Sequence, residues 1–207
     1  QINDIKEERF NPMGVSDAEL AELHTKKFAV MDDAVGEKMQ ERILQAKSEL
    51  NSVGGVIEAI ALHLPAGIGA PYFDSVESML SHALFSVPAV KGVEFGDGFG
   101  FARLTGAEAN DALHYVDGKV KALTNHNGGV TGGITNGMPF VVRVAIKPTP
   151  SIAREQQTVS LKEQADTTLA IVGRHDPCIV QRAVPVIEAV VAWTLWDLLL
   201  EAKKWEK

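Results

Sequence analysis

The spacing of apolar residues along the chain predicts three long elements of secondary structure. The run Phe140–Ile146 is rich in β-branched and aromatic residues, which predicts a strand. Met31–Asn51 repeats apolar residues at helical spacing between charged ones, which predicts an amphipathic helix. Its apolar stripe consists of Met39, Ile43, Leu44 and Leu50. Val180–Trp205 is helical in pattern and strongly apolar, which predicts a final core or interface helix.

Shorter elements are predicted from local signals. Ser16 and Glu19 form a capping-box pattern, so a short helix is expected from here to about Lys26. Asp74 is a candidate cap for a further helix that runs to about Ser86. The dipeptide at 117–118, Asp-Gly, predicts a hairpin that joins Leu113–Val116 to Lys119–Leu123. Other predicted strands are Val56–Leu64, Val90–Phe95, Gln157–Leu161 and Thr167–Val172, and a short helix is expected near Ala107. Interleaved helices and antiparallel strands predict an α+β fold.

A glycine-rich stretch precedes the Phe140–Ile146 strand, and the strand ends in Lys147-Pro-Thr-Pro-Ser151. Its glycines allow a backbone to adopt positive φ and to approach a ligand closely. They are Gly128, Gly129, Gly132, Gly133 and Gly137. The lysine and the hydroxyls of Thr149 and Ser151 suit a phosphate, so loop and strand end together suggest a phosphate-handling arrangement. A tight turn with a solvated Lys147 is an equally good interpretation, because neither the Rossmann nor the P-loop spacing is present.

Composition narrows the function classes. Hydrophobic residues make up 45% and charged residues 23% of the 207 residues, as in an ordinary globular domain. The net charge of −7 argues against a nucleic-acid partner. An anionic ligand would need a local group of cations, and candidates are Arg143, Lys147, Arg154, Arg174 and Arg182. The charges and Pro185 within the final helix leave too short an apolar length for a membrane span.

The single cysteine, Cys178, excludes an internal disulfide framework and fits a reducing cytoplasm. We interpret it as a packed thiol rather than a nucleophile. The histidines show no ligand spacing, so no metal site is expected, and no G-x-S-x-G pattern supports a hydrolase. The tryptophans Trp193, Trp196 and Trp205 are expected to pack rather than stack on a cofactor.

A second block, Gly173-Arg-His-Asp-Pro-Cys178, allows two interpretations. By itself it predicts a turn in which Asp176 caps the final helix or pairs with Arg174. Alternatively, Arg174 offers a bidentate fork to a phosphate and Asp176 a carboxylate that can take a proton.

These blocks, in this order, resemble the chorismate synthase family. The family carries TNxxGGIxGGIxNG, KPTxSI and GRHDPC elements, with AVPxxEA in a long helix, and the chain has close counterparts at 124–137, 147–152, 173–178 and 183–189. Val87–Gly96 and Gly106–Asp111 resemble two further family elements, PAVKGVExGxGF and GSExND. The resemblance extends over Met31–Lys207. It implies a β-α-β sandwich in which helices pack between two antiparallel sheets.

The resemblance also implies an activity, which is the anti 1,4-elimination of phosphate from 5-enolpyruvylshikimate 3-phosphate with reduced FMN. NADPH would act only indirectly, as a reductant of the flavin. The implied catalytic residues are Arg174, at the phosphate, and Asp176, at flavin N5. The implied FMN contacts are Pro88, Ala89, Gly132, Lys147, Pro148, Thr149, Pro150, Ser151 and Arg174. A cytoplasmic homotetramer is implied, with no nucleic-acid or membrane partner.

Two departures from the family pattern bear on these expectations. Asn127 stands where a smaller residue is common, which is tolerable if its side chain points away from the glycines. The family's G-x-S-H-G, R-P-G-H-A-D and S-x-R-x-T elements do not occur in the chain, and it opens on Gln1 rather than a methionine. We therefore expect residues 1–207 to form one domain that is the C-terminal portion of the enzyme and incomplete alone. A non-catalytic flavin- or phospholigand-binding fragment and a purely structural fragment remain alternatives.

Overall fold

A computed structural model describes residues 1–8 and 11–204. The helices are α1 (Asp17–Thr25), α2 (Asp33–Ser48), α3 (Val76–Phe85) and α4 (Val180–Lys203). The strands are β1 (Gly55–Ala61), β2 (Val90–Phe95), β3 (Leu113–Val116), β4 (Lys119–Ala122), β5 (Val130–Thr131), β6 (Ile134–Thr135), β7 (Phe140–Ile146), β8 (Gln156–Ser160) and β9 (Ala165–Leu169). Short 3₁₀ turns occupy Pro12–Gly14, Tyr72–Asp74 and Gly98–Arg103.

The core lies between one antiparallel sheet and a layer of helices. The sheet has the order β1-β7-β2, with β7 in the centre, and the other strands pair as two-stranded antiparallel hairpins. Alternate residues of β7 form the buried face, and they are Phe140, Val142, Val144 and Ile146. Helix α3 packs on β2 and α4 packs on β1, and the two helices contact each other. The predicted α+β class is confirmed.

Elements with strong local signals lie where the sequence predicts them. The strands predicted at Phe140–Ile146 and Val90–Phe95 have these bounds in the structure. The capping box of α1 is formed, since Glu19 Oε2 accepts from the Ser16 backbone N–H at 2.8 Å. The hairpin of β3 and β4 turns at Asp117 and Gly118 with φ of 49° and 74°, the left-handed conformation that this dipeptide favours.

Three local predictions are wrong because tertiary contacts override the sequence pattern. In α2 the buried residues are Gly36, Met39 and Ala46, whereas the predicted stripe residue Leu44 is exposed. Leu50 lies beyond the helix and is also exposed. Helix α3 is capped by Ser75 rather than Asp74, since the Ser75 hydroxyl accepts from the Ser78 N–H at 3.1 Å. Ala107 lies in a turn instead of a helix.

The final helix α4 is apolar on two sides. One side faces the core with Val180, Ile187, Val191, Leu195 and Leu198. The other side leaves Trp193 and Trp196 exposed to 76% and 57%, so the predicted packing of these tryptophans is wrong within this chain. Trp205 lies outside the described residues. Helix α4 has the length and hydropathy of a membrane span, so the prediction that its apolar length is too short is wrong. A core helix meets the same criteria, so this is weak evidence for a span.

Candidate functional site

The two blocks that suggest phosphate chemistry meet at the turn that precedes β1. The Ser52 hydroxyl donates to the carbonyl oxygen of Thr149 at 2.6 Å. The next residue, Val53, donates its backbone N–H to the carbonyl oxygen of Pro177 at 2.8 Å. The segment 52–53 therefore ties Lys147–Ser151 to Pro177, the residue that follows Arg174–Asp176, although the sequence separates the two blocks by more than twenty residues.

Pro88 and Ala89 join the same region through the backbone. Ala89 accepts a hydrogen bond from the Lys147 N–H at 2.9 Å, and its own φ of 75° turns the chain between α3 and β2. We call Pro88–Ala89, Lys147–Ser151 and Arg174–Asp176 the loop cluster. It lies where β7 ends and contains every predicted site residue except Gly132.

Gly132 lies at the other end of β7. It forms the tip of the β5–β6 hairpin, whose next residue accepts a hydrogen bond from the Val76 N–H at the start of α3. Seven residues of β7 separate this hairpin from the loop cluster, a span of about 20 Å at the rise of a strand. The Gly132 hairpin and the Lys147–Ser151 segment therefore lie at opposite ends of β7. Gly132 is nevertheless open, since no atom lies within 4 Å of where a Cβ would stand.

Asp176 is held by two partners, and neither is the predicted one. Its Oδ1 accepts from the Cys178 N–H at 3.0 Å, and its Oδ2 lies 2.5 Å from a terminal nitrogen of Arg182. Helix α4 has Ile179 at its N-cap position, so the predicted cap by Asp176 is wrong, as is the pair with Arg174. Among the described residues Arg174 is exposed and has no hydrogen-bond or ion-pair partner. The intervening His175 contacts the carbonyl oxygen of Ile171 at 2.7 Å through Nε2.

The loop cluster offers unsatisfied polar groups to a ligand. Within the described part of the chain the Thr149 hydroxyl is buried and has no hydrogen-bond partner. A buried hydroxyl in that state is costly, because it has lost its water without a replacement. Lys147 and Arg174 are exposed on the same cluster. A hydroxyl, an ammonium and a guanidinium in this arrangement match the oxygens of a phosphate ester.

Arg143 is not part of the local group of cations, contrary to the sequence prediction. It sits at the centre of β7 on the face opposite the helices, where one terminal nitrogen lies 2.9 Å from Glu94 Oε1. Its Nε lies 3.7 Å from Glu58 Oε2, and it also donates to the Gly96 carbonyl oxygen at 3.0 Å. Two carboxylates therefore offset its charge, and its role is to tie the three strands together.

Asp111 fixes the start of the glycine loop. Its carboxylate accepts from the Thr124 hydroxyl at 2.7 Å and from the backbone N–H groups of His126 and Asn127. It also accepts from the Asn127 side chain at 2.7 Å, so that side chain is directed to Asp111. A second carboxylate, Asp97, contacts His126 Nδ1 at 2.5 Å. These hydrogen bonds therefore fix the start of the glycine loop, and they accommodate the Asn127 side chain.

We expect Asp111→Ala to lower the free energy of unfolding by about 2 kcal/mol at pH 7, because four donors lose a charged acceptor. Burial alone raises the pKa of the Asp111 carboxyl, but the hydrogen bonds outweigh it and bring the pKa below its ordinary value of 3.8. Because its folded-state pKa is lowered, the Asp111 carboxylate stabilises the fold at pH values above its ordinary pKa. This stabilisation is lost as the pH falls through the folded-state pKa. Urea titrations should show that the difference in the free energy of unfolding between this variant and wild type is smaller at pH 3 than at pH 7. A constant difference would contradict this.

Other sequence predictions about side chains can be compared directly with the structure. Cys178 is buried, and burial raises the pKa of its thiol, which agrees with a packed residue rather than a nucleophile. Within residues 1–8 and 11–204 no group of three or more His, Cys, Asp or Glu residues is placed to hold a metal ion.

Sequence reasoning missed Ser52 and the pairing role of Arg182. Ser52 carries no motif, and its contact with Thr149 depends on the fold. Arg182 lies six residues after Asp176, a spacing that has meaning only once the turn before α4 is known. Asp111, the last residue of the Gly106–Asp111 element, was visible in the sequence, but the four hydrogen-bond donors to its carboxylate were not.

Comparisons with known proteins give a consistent result. A sequence model of the family described as chorismate synthase matches residues 2–200. The chain is 50% identical over 175 residues to a chorismate synthase of Thermococcus gammatolerans, which covers 84% of this chain and 49% of that protein. It is 50% identical over 171 residues to a chorismate synthase of Dehalococcoides mccartyi, which covers 83% of this chain and 47% of that protein. The chain thus spans about half the length of the curated relatives it matches.

A solved structure described as a chorismate synthase is similar in fold. The TM-score is 0.75 at 30% sequence identity, and the match covers 97% of this chain and 55% of the other. The order of secondary structure in the chain is therefore that of a known fold over nearly all its length.

Proposed function

The chain belongs to the chorismate synthase family, and on that premise we propose that it forms the C-terminal portion of a chorismate synthase active site. The reaction is the anti 1,4-elimination of phosphate from 5-enolpyruvylshikimate 3-phosphate, in which the C–O bond to phosphate breaks and the C6 hydrogen leaves. The observation that carries the proposal is the loop cluster, which combines exposed cations, a buried hydroxyl without a partner and a carboxylate held by two partners.

The residues of the loop cluster fit FMN as the cofactor. Thr149 presents its buried hydroxyl, and Lys147 presents a positive charge that a phosphate monoester would neutralise. Pro88 and Ala89 are fixed beside them by the Lys147 N–H, so a flat ring could lie against a rigid backbone. Pro148, Pro150 and Ser151 complete the Lys147–Ser151 segment. Gly132 is a further FMN contact, and it lies apart from that segment at the other end of β7. When bound, reduced FMN supplies electron density to the reacting C–O bond with no net redox change.

The protein's own contribution is charge and proton handling. Arg174 is exposed and unpaired among the described residues, so its guanidinium is available to stabilise the negative charge that builds up on the departing phosphate. Asp176 has both oxygens oriented by neighbours, and its carboxylate takes the proton near flavin N5. Both residues lie on one short loop, two positions apart in the sequence.

Assembly and context follow from the family as further proposals. The complete enzyme is a homotetramer in the cytoplasm, and NADPH serves only to reduce the flavin. The residues of this chain form a single domain together with the other part of the sandwich. The exposed apolar side of α4, with Trp193 and Trp196, fits a helix layer covered on both faces. A non-catalytic flavin-binding fragment is not favoured, because the relatives from Thermococcus gammatolerans, Korarchaeum cryptofilum and Dehalococcoides mccartyi are each named chorismate synthase.

The activity is tested in a chimera in which this chain replaces the matched stretch of the Thermococcus gammatolerans protein. Two assays are made on it, which are anaerobic release of chorismate with reduced FMN and titration of oxidised FMN by fluorescence quenching. We expect turnover and FMN binding in the chimera. Binding without turnover would favour the non-catalytic alternative.

A further inference from the structure

Asp176 has a partner on each of its two carboxylate oxygens. The Cys178 N–H binds Oδ1 at 3.0 Å, and Arg182 lies 2.5 Å from Oδ2. In the sequence, the two partners lie before and after the start of α4, because Cys178 precedes the helix and Arg182 lies in its first turn. A carboxylate held from two fixed directions has one orientation.

Stability does not account for the ion pair between these residues. The Arg182 side chain is 73% exposed and the Asp176 side chain 29% exposed. Exposed ion pairs contribute about 0 to 1 kcal/mol to stability. The loop that carries Asp176 also has few other restraints, since Val172, Gly173 and Arg174 are exposed. What the pair adds is geometry, because Arg182 and the Cys178 N–H each hold a different oxygen of the Asp176 carboxylate.

We propose that Arg182 is a positioning residue that orients the Asp176 carboxylate for proton transfer. This inference rests on the proposed role of Asp176. The two arginines of this region then have different roles. Arg174 is available to a ligand phosphate, whereas Arg182 is committed to the Asp176 carboxylate. Arg182 therefore does not add to the phosphate site, although the sequence placed it among the candidate cations.

The chain offers a direct probe of this orientation because Cys178 is its only cysteine. Selective labelling with ¹⁵N-cysteine gives one backbone amide signal, from the N–H that binds Asp176 Oδ1. We expect Arg182→Gln to move this signal towards its position in Asp176→Ala, while Arg182→Lys keeps it close to wild type. Arg103→Gln, which removes an equally exposed arginine elsewhere, is the matched control and should leave it unmoved. An unmoved signal in Arg182→Gln overturns the proposal.

Turnover of the chimera gives the second readout. Arg182→Gln should lower kcat by about tenfold to a hundredfold, the effect of misplacing a catalytic group, without changing the affinity for FMN. Arg182→Lys should recover part of the loss. An unchanged kcat in a variant whose amide signal has moved overturns the positioning role. If the chimera is inactive even with the natural residues, the proposed function fails, and the amide signal alone decides whether Arg182 orients Asp176.

Discussion

Replacing Asp176 by Asn should lower turnover of the chimera by about a hundredfold to ten-thousandfold, the usual range for a group that transfers a proton in the rate-determining step. The amide has the same shape and still accepts from the Cys178 N–H, so the loop keeps its path. It cannot take up a proton as a carboxylate does. Affinity for FMN should change little, because Lys147 and Thr149 are untouched.

Steady-state rates and FMN titrations on the same preparation separate the two effects. Asp166→Asn, in the exposed β8–β9 hairpin, is the matched control and should leave both unchanged. Equal losses of turnover and FMN affinity in Asp176→Asn would mean that Asp176 is a structural residue of the loop.

A large effect on stability is expected at Gly129. A Cβ there would lie 2.7 Å from the carbonyl oxygen of Pro139 and 2.9 Å from that of Met138, at a φ of 82°. These backbone atoms belong to the segment that leads into β7 and cannot move without shifting the strand, so Gly129→Ala should cost about 3 kcal/mol or more. Gly132 also has positive φ, of 63°, but has open space around it, so Gly132→Ala should cost only about 1 kcal/mol.

The two alanine variants therefore test the fold and the site separately. Urea denaturation of the chain should show the difference in stability, and equal losses would mean that positive φ alone decides the cost. In the chimera, Gly132→Ala should weaken FMN binding because the new methyl group fills the open space. Unchanged FMN affinity would exclude Gly132 from the cofactor site.

Elements whose signals are local were predictable from the sequence. Strand β7, the capping box of Ser16 and the Asp117–Gly118 turn depend on residues within a few positions of one another. The choice of Ser75 over Asp74 as a cap was not predictable, because both are good caps and the hydrogen bond from Val76 to Gly133 decides where α3 begins.

Side-chain partners set by tertiary structure were beyond sequence reasoning. Arg143 is an obvious cation in the sequence, but the register of β1, β7 and β2 places Glu58 and Glu94 on either side of it. At the N-terminus, Ile2 is buried and bridges to Gly55 beside β1, although the residues around it in the sequence are polar. Neither outcome is encoded in local spacing.

Family motifs mark the residues of the candidate site, but they do not give its layout. The loop cluster gathers Pro88–Ala89, Lys147–Ser151 and Arg174–Asp176, which family motifs had marked. The glycine loop was expected to lie with them, because it precedes the strand that leads to Lys147. Strand β7 separates the glycine loop from Lys147, however, so the residues just before β7 and those just after it lie far apart.

The central proposal is that this chain supplies the C-terminal portion of a chorismate synthase active site. It is tested most directly by anaerobic release of chorismate from 5-enolpyruvylshikimate 3-phosphate with reduced FMN, measured for the chain alone and for the chimera. We predict turnover in the chimera and none in the chain alone. A chimera that folds, binds the substrate and releases no chorismate would contradict the claim.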